Sequence, residues 1–271
     1  MVPKRSTVVV FAYAPTLSLK EEASFVQCLR VLGRHEVTVV CPESLDLGRY
    51  YLLCDQEGVT PSVQRFENAW FESTDAYNAL MLHPAFYHRF SDYEYILICQ
   101  LDAWVFSDQL DAWCDKNYTY VGAPFFSDAG VLYPFAGNGG FSLRRVASFI
   151  ALLEGRCRPS RWNYGFLLAK IPADSTMGGI RKRIIHMLEL AVCRISTQWY
   201  CRLRQGHEDY IFAKAFSFTG KEDVPLPEEA ACFAFERFPE QLFTITGGEL
   251  PFGCHAYEKH SPSFWRSWIP E

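Results

Sequence analysis

The run Tyr95-Ile-Leu-Ile-Cys-Gln-Leu-Asp-Ala-Trp-Val-Phe106 constrains this chain more than any other segment. Residues 95–98 are apolar without alternation, the pattern of a strand buried on both faces, and such strands belong to parallel sheets covered by helices. Gln100 and Asp102 interrupt the run before apolar residues resume. A carboxylate at the end of a buried strand costs free energy unless it is paired, hydrogen-bonded or bound to a metal. In open α/β sheets, ligands sit at the carboxyl ends of the strands. Asp102 therefore stands where a metal or a substrate is expected.

The upstream pattern agrees. Residues 7–13 read as a strand. Residues 17–33 read as a helix on the spacing of Leu19, Ala23, Val26, Leu29 and Leu32, with Gly33 as its stop, and 36–41 as a second strand ended by Pro42. This is a β-α-β unit, so the central sheet is expected to be mostly parallel. Ser73 or Thr74 is a cap for a helix reaching about Met81; 92–99 is the central strand, 110–116 a short helix and 118–121 a further strand. Beyond Gly122 the texture changes. Gly137-Asn-Gly-Gly140 breaks regular structure; 141–144 resumes as strand and 146–153 as helix. Residues 155–179, rich in Gly, Pro and Arg, read as an irregular insertion. Helices are expected over 180–200, over 210–216 after Gly206-His-Glu-Asp209, and over 227–235.

With 271 residues, 49% of them hydrophobic, the chain has enough apolar mass for a large core. We expect one domain over 1–271. A net charge of −5 provides no global basic field for nucleic acid. The ten cysteines form no CxxC pair and several lie in apolar runs, which reads as reduced, buried thiols of a cytosolic protein. The apolar run at 6–10 is too short for a signal peptide, and no stretch reaches the roughly eighteen residues that span a bilayer. The expectation is a cytoplasmic protein, soluble or peripheral to the inner face of a membrane. One segment departs from the overall charge: 156–204 holds ten Lys/Arg against Asp174 and Glu189. Within it Ile180, Ile184, Leu188, Ala191, Ile195 and Trp199 share a helical stripe, flanked or opposed by Arg181, Lys182, Arg183 and Arg194. Two readings stand: a core-facing helix with a charged outer side, or docking on an anionic membrane.

Four islands carry chemistry: Gln100-Leu-Asp102, Gly137-Asn-Gly-Gly-Phe-Ser142, His207-Glu-Asp209 and Pro251-Phe-Gly-Cys-His255. Each has a bland reading. Asp102 suits a helix cap, Gly139-Gly140 a plain turn, Glu208 and Asp209 the acidic first turn of a helix, and His255 a hydrogen-bonded core position. In order and spacing, however, they resemble the four signature elements of glycosyltransferases with the GT-A fold. More narrowly, YEYILICQLDAWVF, YVGAPFF, GNGGFSLR, HEDYIF and PFGCHAYEK resemble a bacterial family of uncharacterised sugar-transferase-like proteins associated with cell-surface polysaccharides.

The resemblance implies an α/β, GT-A-like fold: a Rossmann-like nucleotide-binding half (1–105) and an acceptor-binding half (106–271) with a basic helical insertion at about 155–204. It implies transfer of a hexosyl group, galactofuranose among the candidates, from a nucleotide sugar, in the first place a UDP-sugar, to a surface polysaccharide such as O-antigen or capsule, or to a lipid-linked glycan. QLD stands at the family's Asp-x-Asp metal motif, with Gln100, a neutral and weaker ligand, in the place of its first Asp. Asp102 and His255 are the implied ligands of Mn²⁺ or Mg²⁺. Asn138, Gly139, Gly140 and Phe141 are the implied acceptor loop, which glycine lets approach a sugar closely. Asp209 is the implied base and Glu208 its neighbour or alternative, Asp209 being held ionised by the helix dipole. Ala12, Tyr13, Glu43, Asn78, Gln100 and Asp102 are expected around the donor, and Asp75 and Tyr77 near it. Two other readings remain on the same residues: a non-catalytic carbohydrate-binding protein, and a metal-dependent phosphate-ester hydrolase, which would need more ligands than one Asp and one His.

Overall fold

In a computed structural model, the fold is described over residues 3–157, 177–203, 206–219 and 224–270. The chain opens with strand β1 (Lys4–Phe11), helix α1 (Leu19–Leu32) and strand β2 (Glu36–Pro42). Ser18 caps α1: its hydroxyl accepts from Glu21 N while the Glu21 carboxylate accepts from Ser18 N, a reciprocal capping box. Helix α2 (Gly48–Gln56) leads to strand β3 (Ser62–Phe66); neither was expected. Ser73 caps α3 (Thr74–Met81) by accepting from Ala76 N. A short helix, α4 (Pro84–His88), precedes the central strand β4 (Tyr93–Cys99).

β1 pairs in parallel with β2 and β4, and β2 with β3. Strand β5 (Ala103–Val105) and helix α5 (Leu110–Asp115) follow, then β6 (Tyr120–Gly122), the hairpin β7 (Pro124–Phe126) and β8 (Leu132–Ala136), and β9 (Phe141–Arg145). β9 lies antiparallel between β4 and β6, giving the six-stranded order β3-β2-β1-β4-β9-β6. The expected mixed α/β architecture around a mostly parallel sheet is the one adopted.

The alternation of β1 shows why the sheet is buried. Val8 and Val10 enter a core with α1 and α2, while Val9 and Phe11 enter a second core on the opposite face. Removing each such side chain from water contributes about 1.5–3 kcal/mol. Eight of the ten cysteines are buried and all are free thiols.

The second half adds α6 (Val146–Leu153), α7 (Met177–Ile195), α8 (Thr197–Leu203), α9 (Glu208–Thr219), α10 (Pro227–Phe233), β10 (Ala234–Phe235), α11 (Pro239–Ile245), β11 (Gly253–His255) and α12 (Pro262–Trp265). The insertion expected at 155–179 falls largely on 158–176, outside the described residues. The helix expected over 180–200 is two helices. Ser196 caps the second through its hydroxyl, which accepts from Trp199 N, and the Thr197 hydroxyl donates to Leu152 O of α6. Among the described residues no helix is long and apolar enough to cross a membrane.

Candidate active site

A cleft of about 1200 Å³ opens where β1 and β4 end. Hydrogen-bonded strands bring the distant islands to it. β5 runs antiparallel to β11 with Ala103 opposite His255, and Ala256 N donates to Asp102 O at 3.0 Å. This pairing sets His255 beside Asp102: Nε2 lies 3.1 Å from Asp102 Oδ1 and 3.1 Å from Gln100 Oε1. The Gln100 amide nitrogen donates to Tyr77 OH at 3.0 Å. Lys259 Nζ reaches Asp102 Oδ2 at 3.4 Å. On the other side of the imidazole, Nδ1 is buried, makes no aligned hydrogen bond and lies 3.4 Å from Glu236 Oε1.

The charges follow from this packing. Burial opposes the charge of Asp102, but His255 and Lys259 outweigh it and hold the carboxyl at about 2. Burial likewise opposes the imidazolium, yet Asp102 and Glu236 raise His255 to about 9. The donor set at this corner is one carboxylate, one imidazole and the Gln100 carbonyl. Among the described residues no three His, Cys, Asp or Glu side chains form a metal site on their own. A set this sparse fits a divalent cation that takes most of its ligands from a diphosphate and water, as Mg²⁺ and similar ions do.

The glycine loop joins this corner to the third island. Gln100 N donates to Gly140 O at 2.9 Å. A Cβ at Gly140 would sit 2.1 Å from His255 Nε2, and one at Gly139 would sit 2.8 Å from Glu208 Oε1 and 3.0 Å from Asp209 Cβ. The pair is glycine because the site's own side chains occupy the space, a tighter reason than access for a sugar. Gly140→Ala should therefore push the His255 ring from its place. Overpacking of this kind costs about 1–3 kcal/mol; a melting curve and turnover measured together should both fall.

Glu208 and Asp209 open α9 but differ in their bonding. Glu208 Oε1 accepts from Arg144 Nη2 at 2.8 Å and Oε2 accepts from Asp209 N at 2.8 Å, so both oxygens are engaged. Arg144 has no exposed surface. It also donates to Tyr87 OH at 2.9 Å and Ser142 Oγ at 3.1 Å, and its guanidinium packs over the rings of Tyr120, Phe149 and Phe212. Asp209 Oδ2 accepts from Gly139 N at 3.1 Å and Oδ1 from Tyr210 N at 2.6 Å. Burial and the Glu208 charge raise the Asp209 carboxyl to about 7, and the two amides offset only part of this. The expectation of a carboxylate held ionised by the helix dipole is thus corrected: desolvation and a like charge outweigh the helix terminus.

Of the site residues expected from sequence, Tyr13, Asn78, Gln100, Asp102, Asn138, Gly139, Gly140, Glu208, Asp209 and His255 line the cleft, as does Tyr77. Three do not. Ala12 is fully buried against the sheet, its N donating to Val40 O. Glu43 is exposed beyond β2, where its N donates to Phe66 O. Phe141 is fully buried, packing on Phe233 and Phe252, because β9 alternates and turns that position into the core. Asp75 does not line the cleft either. Glu236, Lys259 and Arg144 were missed as site residues. Lys259 and Arg144 lie inside the runs PFGCHAYEK and GNGGFSLR, whereas Glu236 follows β10 and is brought to His255 by the β10–β11 pairing, for which the sequence carries no signal.

The family model described as "Protein of unknown function (DUF5672)" matches residues 60–255. No curated protein matches the chain. Among solved structures, the apo form of the glycosyltransferase GlyE of Streptococcus pneumoniae is similar over 93% of this chain and 54% of its own, with 13% identity and a TM-score of 0.49. Core-mannan synthase A of Aspergillus fumigatus, in its Mn/GDP form, is similar over 82% of this chain and 72% of its own, with 8% identity and a TM-score of 0.45. The chain thus spans about half the length of the GlyE structure.

Proposed function

This chain belongs to the DUF5672 family, and on its cleft we propose that it is a glycosyltransferase, moving a hexosyl group from a nucleotide sugar to a hydroxyl of a cell-surface polysaccharide or lipid-linked glycan. The donor in this reading is a UDP-sugar, with galactofuranose among the candidate sugars. The observation that carries the proposal is the meeting, in one cleft at the ends of parallel strands, of an acid held ionised and an acid poised near neutrality. Asp102 is held at about 2 and Asp209 is raised to about 7. Divergent carboxyls are the arrangement from which acid–base roles are assigned. The resemblance of the four islands to glycosyltransferase signatures supports the same reading.

In the proposed reaction the acceptor oxygen attacks C1 of the donor. The new C–O bond forms as the C1–O bond to the diphosphate breaks. The nucleoside diphosphate leaves with that electron pair, and Asp209 takes the acceptor's proton. A direct displacement inverts the anomeric configuration. Glu208, with both oxygens engaged, fixes the backbone of Asp209. Asp102, the Gln100 carbonyl and His255, once its imidazolium has given up the proton, would hold Mn²⁺ or Mg²⁺, which when bound neutralises the leaving diphosphate. Lys259, largely exposed beside Asp102, supplies a further positive charge to that end of the donor.

The test is release of nucleotide from a panel of nucleotide sugars, with Mn²⁺, with Mg²⁺ and with chelator, followed by NMR of the new linkage. Asp102→Asn should reduce turnover on the order of a hundredfold, since cation stabilisation of the leaving group amounts to several kcal/mol; because the variant also loses the ion pair with His255, its melting temperature should fall, and turnover is compared where both proteins are folded. Binding of a nucleotide sugar without release of nucleotide under any of these conditions would instead identify a carbohydrate-binding protein.

A further inference from the structure

Besides its core-facing side, helix α7 carries a second apolar stripe that faces away from the core. Among its described side chains the buried ones are Glu189, Leu190 and Cys193, and Glu189 pairs with Lys214 of α9. Ile184, Leu188, Ala191 and Ile195, at the i, i+4, i+7, i+11 spacing that forms one stripe, all face outward; Leu188 is 61% and Ile195 74% exposed. Trp199 and Leu203 on α8 are exposed as well, at 57% and 68%. The core-facing alternative for this stripe is therefore corrected. Surface helices turn such stripes inward, and contiguous exposed apolar surface marks an interaction site.

Charge says what kind. Arg181 and Arg194 are exposed on α7 and Arg202 on α8. Among the described side chains of these two helices the one carboxylate, Glu189, is buried. We infer that the outer face of α7 and α8 docks on an anionic lipid surface, the apolar side chains entering the head-group boundary and the arginines meeting lipid phosphates. A second copy of the chain fits less well: a two-fold pairing through this face would set these arginines against their own copies with no exposed acid to receive them. α8 ends shortly before Gly206-His-Glu-Asp209, so the docked face lies close in the chain to the proposed base. That a lipid-linked acceptor is presented there rests on the transferase reading; the lipid contact itself does not.

The experiment is flotation of the full chain with vesicles of phosphatidylglycerol and phosphatidylcholine in equal parts, and with phosphatidylcholine alone. The protein should float with the anionic vesicles only. R181E/R194E/R202E should lower the partition coefficient on the order of a hundredfold. I184S/L188S/I195S should abolish flotation with its melting temperature near wild type, since those side chains are exposed. Absence of wild-type flotation, or equal flotation by both variants, overturns the inference. So does a wild-type dimer, seen by light scattering, that I184S/L188S/I195S disperses. Flotation without nucleotide release from any donor would sink the transferase reading alone, and transfer to a soluble acceptor without flotation would sink the lipid contact alone.

Discussion

Asp209→Asn is expected to lower kcat by about 10²–10⁴-fold, the usual cost of removing a general base, with donor affinity held within a few-fold. The expectation rests on the division of labour at the start of α9. Glu208 spends its oxygens on Arg144 and on the Asp209 backbone, whereas Asp209 is held by only two amides. It also fixes a pH dependence. Burial and the neighbouring Glu208 raise the Asp209 carboxyl to about 7, so the base is increasingly protonated below that pH. The rate should therefore rise through about pH 7 and fall roughly tenfold per unit below it. Asp209→Asn should flatten this limb. Near-normal turnover by the variant, or a retained acid limb, would remove Asp209 from the role.

Arg144→Met should destabilise the fold by about 3–5 kcal/mol, the cost of leaving a buried charge without its partner. The Arg144–Glu208 pair is nearly sealed from solvent, with side-chain exposures of 0% and 5%, so water cannot replace the lost hydrogen bonds. The double variant Arg144→Met/Glu208→Leu should recover part of the loss, because two apolar side chains leave no orphan charge in the pair. Denaturant melts of the wild type, the single variants and the double variant measure the coupling. Additive losses would show that Arg144 acts through its aromatic surroundings instead of through Glu208.

Local pattern made the sheet and the cleft floor readable. The apolar runs at β1, β2 and β4 read as strands, that at β4 as one buried on both faces, and this placed Gln100 and Asp102 at a strand end. α2 and β3 were not readable: α2 sets its apolar residues in one unspaced run, Tyr50-Tyr-Leu-Leu-Cys54, that shows no helical period, and β3 has only Val63 and Phe66 as apolar positions. The convergence of Asp102 with His255 was expected through resemblance; its cause, the antiparallel β5–β11 pairing, is a long-range contact between three-residue strands that no local signal announces. The same holds for Glu236. For Asp209, the helix position was legible and the ionisation was not, since desolvation depends on what closes over the carboxylate. α7 is the opposite case: its periodicity was plain, but periodicity gives the width of a stripe and not the side on which the core lies.

The β5–β11 pairing has a further consequence for how the protein comes into being. Gln100 and His255 are separated by 155 positions, and closing so large a loop is slow compared with pairing neighbouring strands. The parallel sheet and its first core can assemble while the cleft still lacks its imidazole. On a ribosome, the segment proposed to hold the nucleotide would stand ready well before the segment that completes the charge of the cleft. The complete cleft is then a late property of the maturing polypeptide: a nascent or partly unzipped molecule would have the sheet and Asp102 without the imidazole that faces it.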